Sequence, residues 1–117
     1  MRAARDFQRV RHRGRQVSGR YLSLGYVRRP EAEAPLRVGF SVSKRVGGAV
    51  IRNRVKRRLR ESVRQMLHTL APGWDVVLTA KPAAAGAPYT ALESETRELL
   101  ARAGLRNADS EDTVSAD

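Results

Sequence analysis

The chain has 117 residues, a net charge of +11 and a sequence pI of about 11.4, and it contains no cysteine. The absence of cysteine excludes disulfides and thiolate metal sites, and no apolar run is long enough to span a membrane. We therefore expect a cytoplasmic protein with one domain over residues 1–106 and an acidic, disordered tail over residues 107–117.

Hydrophobic periodicity predicts three helices and three strands. In chain order these are a helix at 4–13, strands at 20–27 and 36–43, a helix at 49–70, a strand at 74–80 and a helix at 89–103. The first two strands are expected to pair as an antiparallel hairpin. The third strand is apolar enough to be central, and Gly104 is expected to end the last helix. The order α-β-β-α-β-α is typical of a small two-layer α-β sandwich of the α+β class, with a βαβ crossover through the long helix.

Positive charge is concentrated in the first seventy residues. Residues 1–70 hold 19 basic and 4 acidic residues, a net of +15, whereas residues 71–117 hold 4 and 8, a net of −4. Eight of the seventeen residues from 44 to 60 are basic. Such a surplus repels itself unless a polyanion neutralises it, and nucleic acid is the leading candidate.

The basic stretch also has helical spacing. Ile51, Val55 and Leu59 recur every four residues, which predicts an apolar stripe that docks on a core while the cations cover the other faces. Like charges one turn apart destabilise a helix, so a phosphate partner is expected to offset the repulsion. The candidate RNA-binding residues are Lys44, Arg45, Arg52, Asn53, Arg54, Lys56, Arg57, Arg58, Arg60 and Arg64.

Catalytic groups are scarce in the basic part of the chain. Its acids are Asp6, Glu31, Glu33 and Glu61. Ordinary structural roles explain them, such as Asp6 in the first turn of a helix and Glu61 beside the arginines of its own helix. His12 and His68 are far apart, and the sequence contains no Gly-Lys-Ser/Thr phosphate loop. We predict no catalytic residue, no metal ligand and no cofactor bound by the protein alone.

The central segment resembles the signature of the bacterial ribonuclease P protein component. The matching run is Val38-Gly39-Phe40-Ser41-Val42-Ser43-Lys44-Arg45-Val46-Gly47, followed by Ala49-Val50, Arg52-Asn53-Arg54, Lys56-Arg57 and Arg60-Glu61. Asp6-Phe7-Gln8-Arg9-Val10 with Gly14 resembles the N-terminal helix of the same family. The resemblance covers about residues 4–104.

This resemblance implies a cytoplasmic ribonucleoprotein whose RNA subunit removes the 5′ leader from precursor tRNA. The hydrolysis and the Mg²⁺ ions belong to the RNA. The protein binds the ribonuclease P RNA and the leader, with no membrane and no protein partner required. The resemblance also implies a left-handed βαβ crossover, against the usual right-handed rule.

A leader-binding cleft follows from the resemblance. Its expected residues are Phe7, Arg11, Phe40, Lys56 and Arg60. Members of the family commonly carry aromatic residues at the positions of Arg11 and Gly25, so the aromatic share of leader recognition is reduced here or moved to Tyr21 or Tyr26.

A second class of function remains open at this point. A non-catalytic structural RNA-binding protein, such as a ribosomal protein or an RNA chaperone, shares the basic helix and the scarcity of catalytic groups. The motif over residues 38–61 discriminates between the two, because a generic RNA-binding protein does not need it.

Overall fold

The computed structural model describes residues 4–106, so the predicted acidic tail at 107–117 lies outside the described residues. The helices are α1 (Ala4–Arg13), α2 (Ala49–Met66) and α3 (Tyr89–Arg102), and the strands are β1 (Arg15–Ser18), β2 (Leu22–Arg28), β3 (Arg37–Ser41) and β4 (Trp74–Ala80). Short 3-10 turns lie at Leu67–Thr69 and Pro82–Gly86. The long helix therefore ends four residues earlier than predicted, and a 3-10 turn continues it.

The four strands form one sheet in the order β1-β2-β4-β3. Strand β2 is antiparallel to β1 and β4, whereas β3 is parallel to β4 and is joined to it through α2. The α+β class and the βαβ unit are confirmed. The central place of β4 is also confirmed, because its residues 75–78 are buried as expected for a strand covered on both faces. The handedness of the crossover remains a prediction.

Two strand predictions were wrong. The predicted hairpin between β2 and β3 does not form, because β4 lies between these strands and pairs with both. Strand β1 was missed, so the observed order of elements is α-β-β-β-α-β-α. With Val17 as its one apolar residue, β1 is mostly exposed and has no hydrophobic alternation to reveal it.

The sheet carries helices on both faces. Leu24 and Leu78 are neighbours in the register and belong to the main core beneath α2 and α3. On the other face Gly25 and Val77 are neighbours, and α1 packs there through Val10, which is 2% exposed. A Cβ on Gly25 would lie 3.0 Å from Val10 Cγ1, so glycine allows α1 to approach the sheet closely.

The end of α3 has the predicted glycine. Gly104 has a φ of 78°, a left-handed conformation that favours glycine. The backbone N–H of Leu105 donates to the carbonyl of Leu100 at 3.0 Å, and that of Gly104 donates to Ala101 at 3.0 Å. These bonds satisfy carbonyls at the end of the helix and turn the chain back toward the core.

Within residues 4–106, no helix combines the length and apolar character needed to cross a membrane.

A buried carboxylate joins α1 to the sheet. Asp75 of β4 has a fully buried side chain, and Arg37 of β3 donates two hydrogen bonds to it at 2.7 and 2.8 Å. Arg9 of α1 donates another, and Arg29 Nε lies 3.7 Å from Oδ1. Burial alone raises the pKa of the Asp75 carboxyl, but Arg37 and Arg9 outweigh this effect and hold that pKa below its usual value. We refer to these four residues as the Asp75 cluster.

Asp75→Asn is expected to lower the free energy of unfolding by about 3 kcal/mol, because it removes the buried charge that Arg9 and Arg37 neutralise and leaves these partly buried guanidiniums uncompensated. We take the lower end of the range for buried pairs because the Arg9 and Arg37 side chains are 28% and 37% exposed. Urea denaturation measures the change. Glu61→Gln is the matched control, since it removes an exposed pair with Arg64 and should leave the midpoint close to that of the wild type.

The Asp75 cluster also predicts a pH dependence of stability. Because the pKa of Asp75 is lower in the folded than in the unfolded chain, its contribution is complete above the unfolded pKa of about 3.9. The contribution is lost as the pH falls through the folded pKa. Urea titrations from neutral pH down to about pH 2 measure the free energy of unfolding of the wild type and of Asp75→Asn. The difference between the two should shrink as the pH falls toward the acid end. A difference that stays constant would contradict the lowered pKa of Asp75.

Candidate nucleic-acid interface

Helix α2 has the predicted apolar stripe. Val55 and Leu59 are fully buried, and Ile51 packs partly buried against the same core. The stripe fixes the rotation of the helix, so the basic residues project from the remaining faces. Val50 in the first turn is 79% exposed, so the helix presents its start to solvent.

Three of the ten candidate RNA-binding residues have partners within the protein. Arg54 donates to the Ala85 carbonyl and Arg58 to the Ala87 carbonyl, both at 3.1 Å. These bonds tie α2 to the segment that contains the 3-10 turn Pro82–Gly86. Arg64 pairs with Glu61 at 2.6 Å, as expected from their spacing, and this pair lowers the pKa of the Glu61 carboxyl.

The other candidate residues form a group around the start and outer side of α2. No side chain of this group makes a hydrogen bond or ion pair to another residue of the described chain, and Asn53 is exposed among them. We call its basic members the α2 cation group; they are Lys44, Arg45, Arg52, Lys56, Arg57 and Arg60. Because these cations form no ion pair within residues 4–106, they are available to phosphate.

The start of α2 adds to this positive field. Gly48 caps the helix without a side-chain hydrogen bond, and its first turn contains no acidic residue. The backbone N–H groups of the first turn and the positive end of the helix dipole are therefore open to an anion. Lys44 and Arg45 directly precede this turn and are exposed.

A shallow cleft lies on the opposite face of the sheet, beneath α1. It is lined by Phe7, Val10, Arg11, Gln16, Ser23, Gly25, Val77 and Thr79. Phe7 is half-buried at its wall and Arg11 is exposed at its rim. The cleft therefore combines one aromatic ring and one guanidinium with hydroxyl and amide groups, which suits an unpaired nucleotide. We call it the Phe7 cleft.

The structure does not bring all five residues predicted for the leader cleft together in this depression. Phe40 is paired with Leu78 in the register and packs against the main core, whereas Val77 and Thr79 line the cleft. Successive residues of a strand point to opposite faces, so Phe40 is on the wrong face of the sheet. Lys56 and Arg60 lie on α2 and do not line the cleft either. The structure thus brings together only Phe7 and Arg11 of the five predicted residues.

Sequence reasoning missed the residues that position the cleft. Arg9 of α1 reaches the Asp75 carboxylate, which holds the helix carrying Phe7 and Arg11 over the sheet. At the other end, Glu95 of α3 accepts hydrogen bonds from the backbone N–H groups of residues 20–22 at 3.0, 2.8 and 2.7 Å, which orders the turn between β1 and β2. The sequence signal that could have revealed the Asp75 cluster was Asp75 itself, a single carboxylate within the mostly apolar strand β4. Across residues 4–106 no three His, Asp or Glu residues are grouped in a way that could hold a metal ion.

Comparison with known proteins identifies relatives along nearly the whole chain. A family model described as Ribonuclease P matches residues 1–104. The ribonuclease P protein component of Chloroflexus aurantiacus is 43% identical over 116 residues, covering 98% of this chain and 84% of that protein. The corresponding protein of Roseiflexus castenholzii is 42% identical over 106 residues, covering 90% of this chain and 85% of that protein.

Solved structures give the same result. The Staphylococcus aureus RNase P protein superposes with a TM-score of 0.84 at 27% identity, covering 92% of this chain and 96% of that one. The RNase P protein of Thermotoga maritima superposes with a TM-score of 0.79 at 23% identity, covering 87% of this chain and 94% of that one, and supports the fold.

The α2 cation group predicts a steep salt dependence of RNA binding. If each of its six cations meets a phosphate, log K should fall with log salt at a slope of roughly −4 to −5, since each contact contributes about −0.7 to −0.9. Arg57→Gln should reduce the magnitude of the slope by about one. The measurement is a filter-binding or fluorescence titration of the same RNA at several salt concentrations.

Arg58→Gln is the matched control for this titration. It removes the same charge from the next residue, but its side chain also holds the Ala87 carbonyl. We expect Arg58→Gln to lower the melting temperature more than Arg57→Gln and to change the slope less. Equal effects of the two variants on the slope would show that anchored and unanchored cations meet phosphate alike.

Proposed function

Because the chain belongs to the ribonuclease P protein family, we propose that it is the protein subunit of a holoenzyme that removes the 5′ leader from precursor tRNA. In this proposal the chain binds the catalytic RNA through the α2 cation group and binds the leader through the Phe7 cleft. The hydrolysis is carried by the RNA subunit with its Mg²⁺ ions, in the cytoplasm, and no further protein is required.

The observation that carries the proposal is the α2 cation group, four of whose six cations lie on the folded helix and two just before it, and none of which forms an ion pair within residues 4–106. The apolar stripe of the helix is fully used by the core, so the cations are held at fixed spacing. A disordered basic tail would offer the same charge without the spacing. Fixed spacing is what recognition of a structured RNA backbone requires, since contacts to phosphate set position and orientation.

The assignment of chemistry to the RNA is supported by how the protein uses its acids. The Asp75 carboxylate is paired with arginines, Glu95 accepts hydrogen bonds from backbone N–H groups, and Glu61 is paired with Arg64. Carboxylates that accept hydrogen bonds in this way are poorly suited to act as general bases or metal ligands. The chain therefore contributes binding groups to the holoenzyme, and these position the substrate.

The leader is assigned to the Phe7 cleft on the basis of its lining. Phe7 offers a ring face for stacking, and Arg11 at the rim offers a cation for the backbone phosphate. Gln16, Ser23 and Thr79 add hydrogen-bonding groups along the floor and walls. Lys56 and Arg60, which lie on α2, are assigned to the RNA subunit in this proposal.

Reconstitution is the first test. The protein alone is expected to leave precursor tRNA intact, and addition of the protein to the RNA subunit is expected to lower the Mg²⁺ concentration needed for cleavage at the leader junction. Cleavage is followed on gels at low and high Mg²⁺, with and without protein. Site-specific cleavage by highly purified protein free of RNA would refute the division of labour.

Phe7→Ala tests the cleft. The variant is expected to stay folded because Phe7 is only half-buried, while the preference of the holoenzyme for precursor over mature tRNA falls about fivefold or more. The reason is that one base–aromatic stack is worth about 1–3 kcal/mol. The measurement combines a thermal melt with the affinities of both tRNAs for the reconstituted holoenzyme.

Val63→Ala is the control for Phe7→Ala. Val63 is buried in the main core and does not line the cleft, so its truncation should lower the melting temperature and leave the tRNA preference unchanged. If Phe7→Ala behaves like Val63→Ala, Phe7 is a packing residue and the cleft does not bind the leader.

A further inference from the structure

A second groove lies at the opposite end of the sheet strands from the turn held by Glu95. The residues that line it are Arg13, Arg15, Tyr26, Val27, Arg28, Trp74 and Ala103. They come from the end of α1, the start of β1, the end of β2, the start of β4 and the residue after α3. The groove encloses about 640 Å³ of empty space, its open mouth included, which is enough for a nucleobase. We call it the Trp74 groove.

Aromatic rings and cations are arranged together in this groove. The Arg28 guanidinium carbon lies 4.7 Å from the centre of the Trp74 ring, and Tyr26 meets Trp74 edge to face at 5.8 Å between ring centres. Trp74 and Tyr26 pack on the core from one side and remain partly exposed on the other. One indole face is therefore held in place and covered by the exposed Arg28 side chain.

The charge of the groove points to a polyanion. Arg13, Arg15 and Arg28 are all exposed, and none of their side chains hydrogen-bonds or ion-pairs with another residue in the described part of the chain. The combination of a fixed aromatic face with several unneutralised guanidiniums fits an unpaired nucleotide, because its base stacks while its phosphates bind arginine. An acidic peptide would satisfy the arginines but would leave the indole face without a matching group.

The position of the groove distinguishes it from the Phe7 cleft. Tyr26 pairs with Val76 and so faces the main core, whereas the cleft lies on the face of Gly25 and Val77. The Tyr26 and Trp74 rings of the groove are therefore on the other side of the sheet from a leader strand bound beneath α1, while Arg13 and Val27 border the groove from the α1 side. The RNA subunit is the partner that remains available to this side of the protein.

We propose that the Trp74 groove binds an unpaired nucleotide of the ribonuclease P RNA, a contact additional to those of the α2 cation group. The base takes the face of the Trp74 ring that Arg28 now covers, and Arg28 moves to the adjacent phosphate, with Arg13 and Arg15 on the flanking backbone. This inference rests on the proposed function for the identity of the RNA, and on the groove itself for the site and its chemistry.

Tryptophan fluorescence tests the proposal directly, because Trp74 is the only tryptophan of the chain. The full chain is titrated with ribonuclease P RNA in the absence of precursor tRNA. We expect the emission of Trp74 to be quenched along the same curve that reports binding. Unchanged emission at saturation would overturn the proposal, since a stacked base cannot leave the indole unaffected.

Three variants measure the contribution of the groove. Trp74→Leu should weaken RNA binding about fivefold or more, and Trp74→Phe should restore much of the loss because it keeps a stacking face. Arg28→Gln should weaken binding and reduce the salt slope by about one. Arg20→Gln is the matched control, because Arg20 lies 5.3 Å over the Tyr21 ring outside the groove and carries the same charge. If Trp74→Leu does not fold, the proposal is decided by comparing the RNA affinity and salt slope of Arg28→Gln with those of Arg20→Gln.

The outcomes separate this proposal from the proposed function. Suppose that the wild-type chain binds the RNA and stimulates cleavage, but the groove variants bind as well as Arg20→Gln does. That result would overturn the proposed groove site and leave the holoenzyme role intact. Groove variants that lose only the preference for precursor tRNA would make the occupant a substrate strand, which also overturns the proposal. Equal quenching by a poly-glutamate peptide would show an acidic-peptide site instead. A wild-type chain that neither binds the RNA nor lowers the Mg²⁺ requirement would refute the proposed function itself.

Discussion

The ion pairs around Asp75 are the constraint on which the arrangement of the molecule depends. One buried carboxylate from the central strand receives Arg37 from the edge strand and Arg9 from α1, with Arg29 close by. Without it, α1 would be held over the sheet mainly by Val10 and the close approach at Gly25. The position of α1 in turn defines the Phe7 cleft, so this polar contact decides whether the cleft exists.

Acidic residues are few in this domain, and several of them have structural roles like that of Asp75. In a chain with a net charge of +11, two acids fix joints between elements. Asp75 joins α1 to the sheet and Glu95 joins α3 to the turn between β1 and β2, whereas Glu61 makes an exposed pair within α2. The α2 cation group and the arginines of the Trp74 groove form no ion pairs within residues 4–106, so the protein concentrates its unpaired positive charge on surfaces suited to phosphate.

The parts of the structure that sequence predicts well are those with local periodic signals. The four-residue repeat of Ile51, Val55 and Leu59 predicted α2 and its buried stripe, and the apolar run at 74–80 predicted a central strand. Strand pairing is non-local, so nothing in residues 20–43 revealed that β4 would separate β2 from β3. That pairing also sets the face on which Phe40 lies, which is why the predicted cleft contained a core residue. The short exposed strand β1 and the Asp75 cluster have no periodic signature at all.

The bonds from Arg54 and Arg58 to the carbonyls of Ala85 and Ala87 have a consequence for how the protein meets RNA. Two cations in the most crowded part of α2 each donate a hydrogen bond to a backbone carbonyl of the protein itself, and this offsets part of the repulsion between neighbouring cations. The backbone of α2 is therefore in place before any RNA arrives, and only the unanchored side chains of the α2 cation group remain to be ordered on binding. The free energy spent on ordering the protein is limited to those side chains, which is less than a basic segment that folds on binding would need.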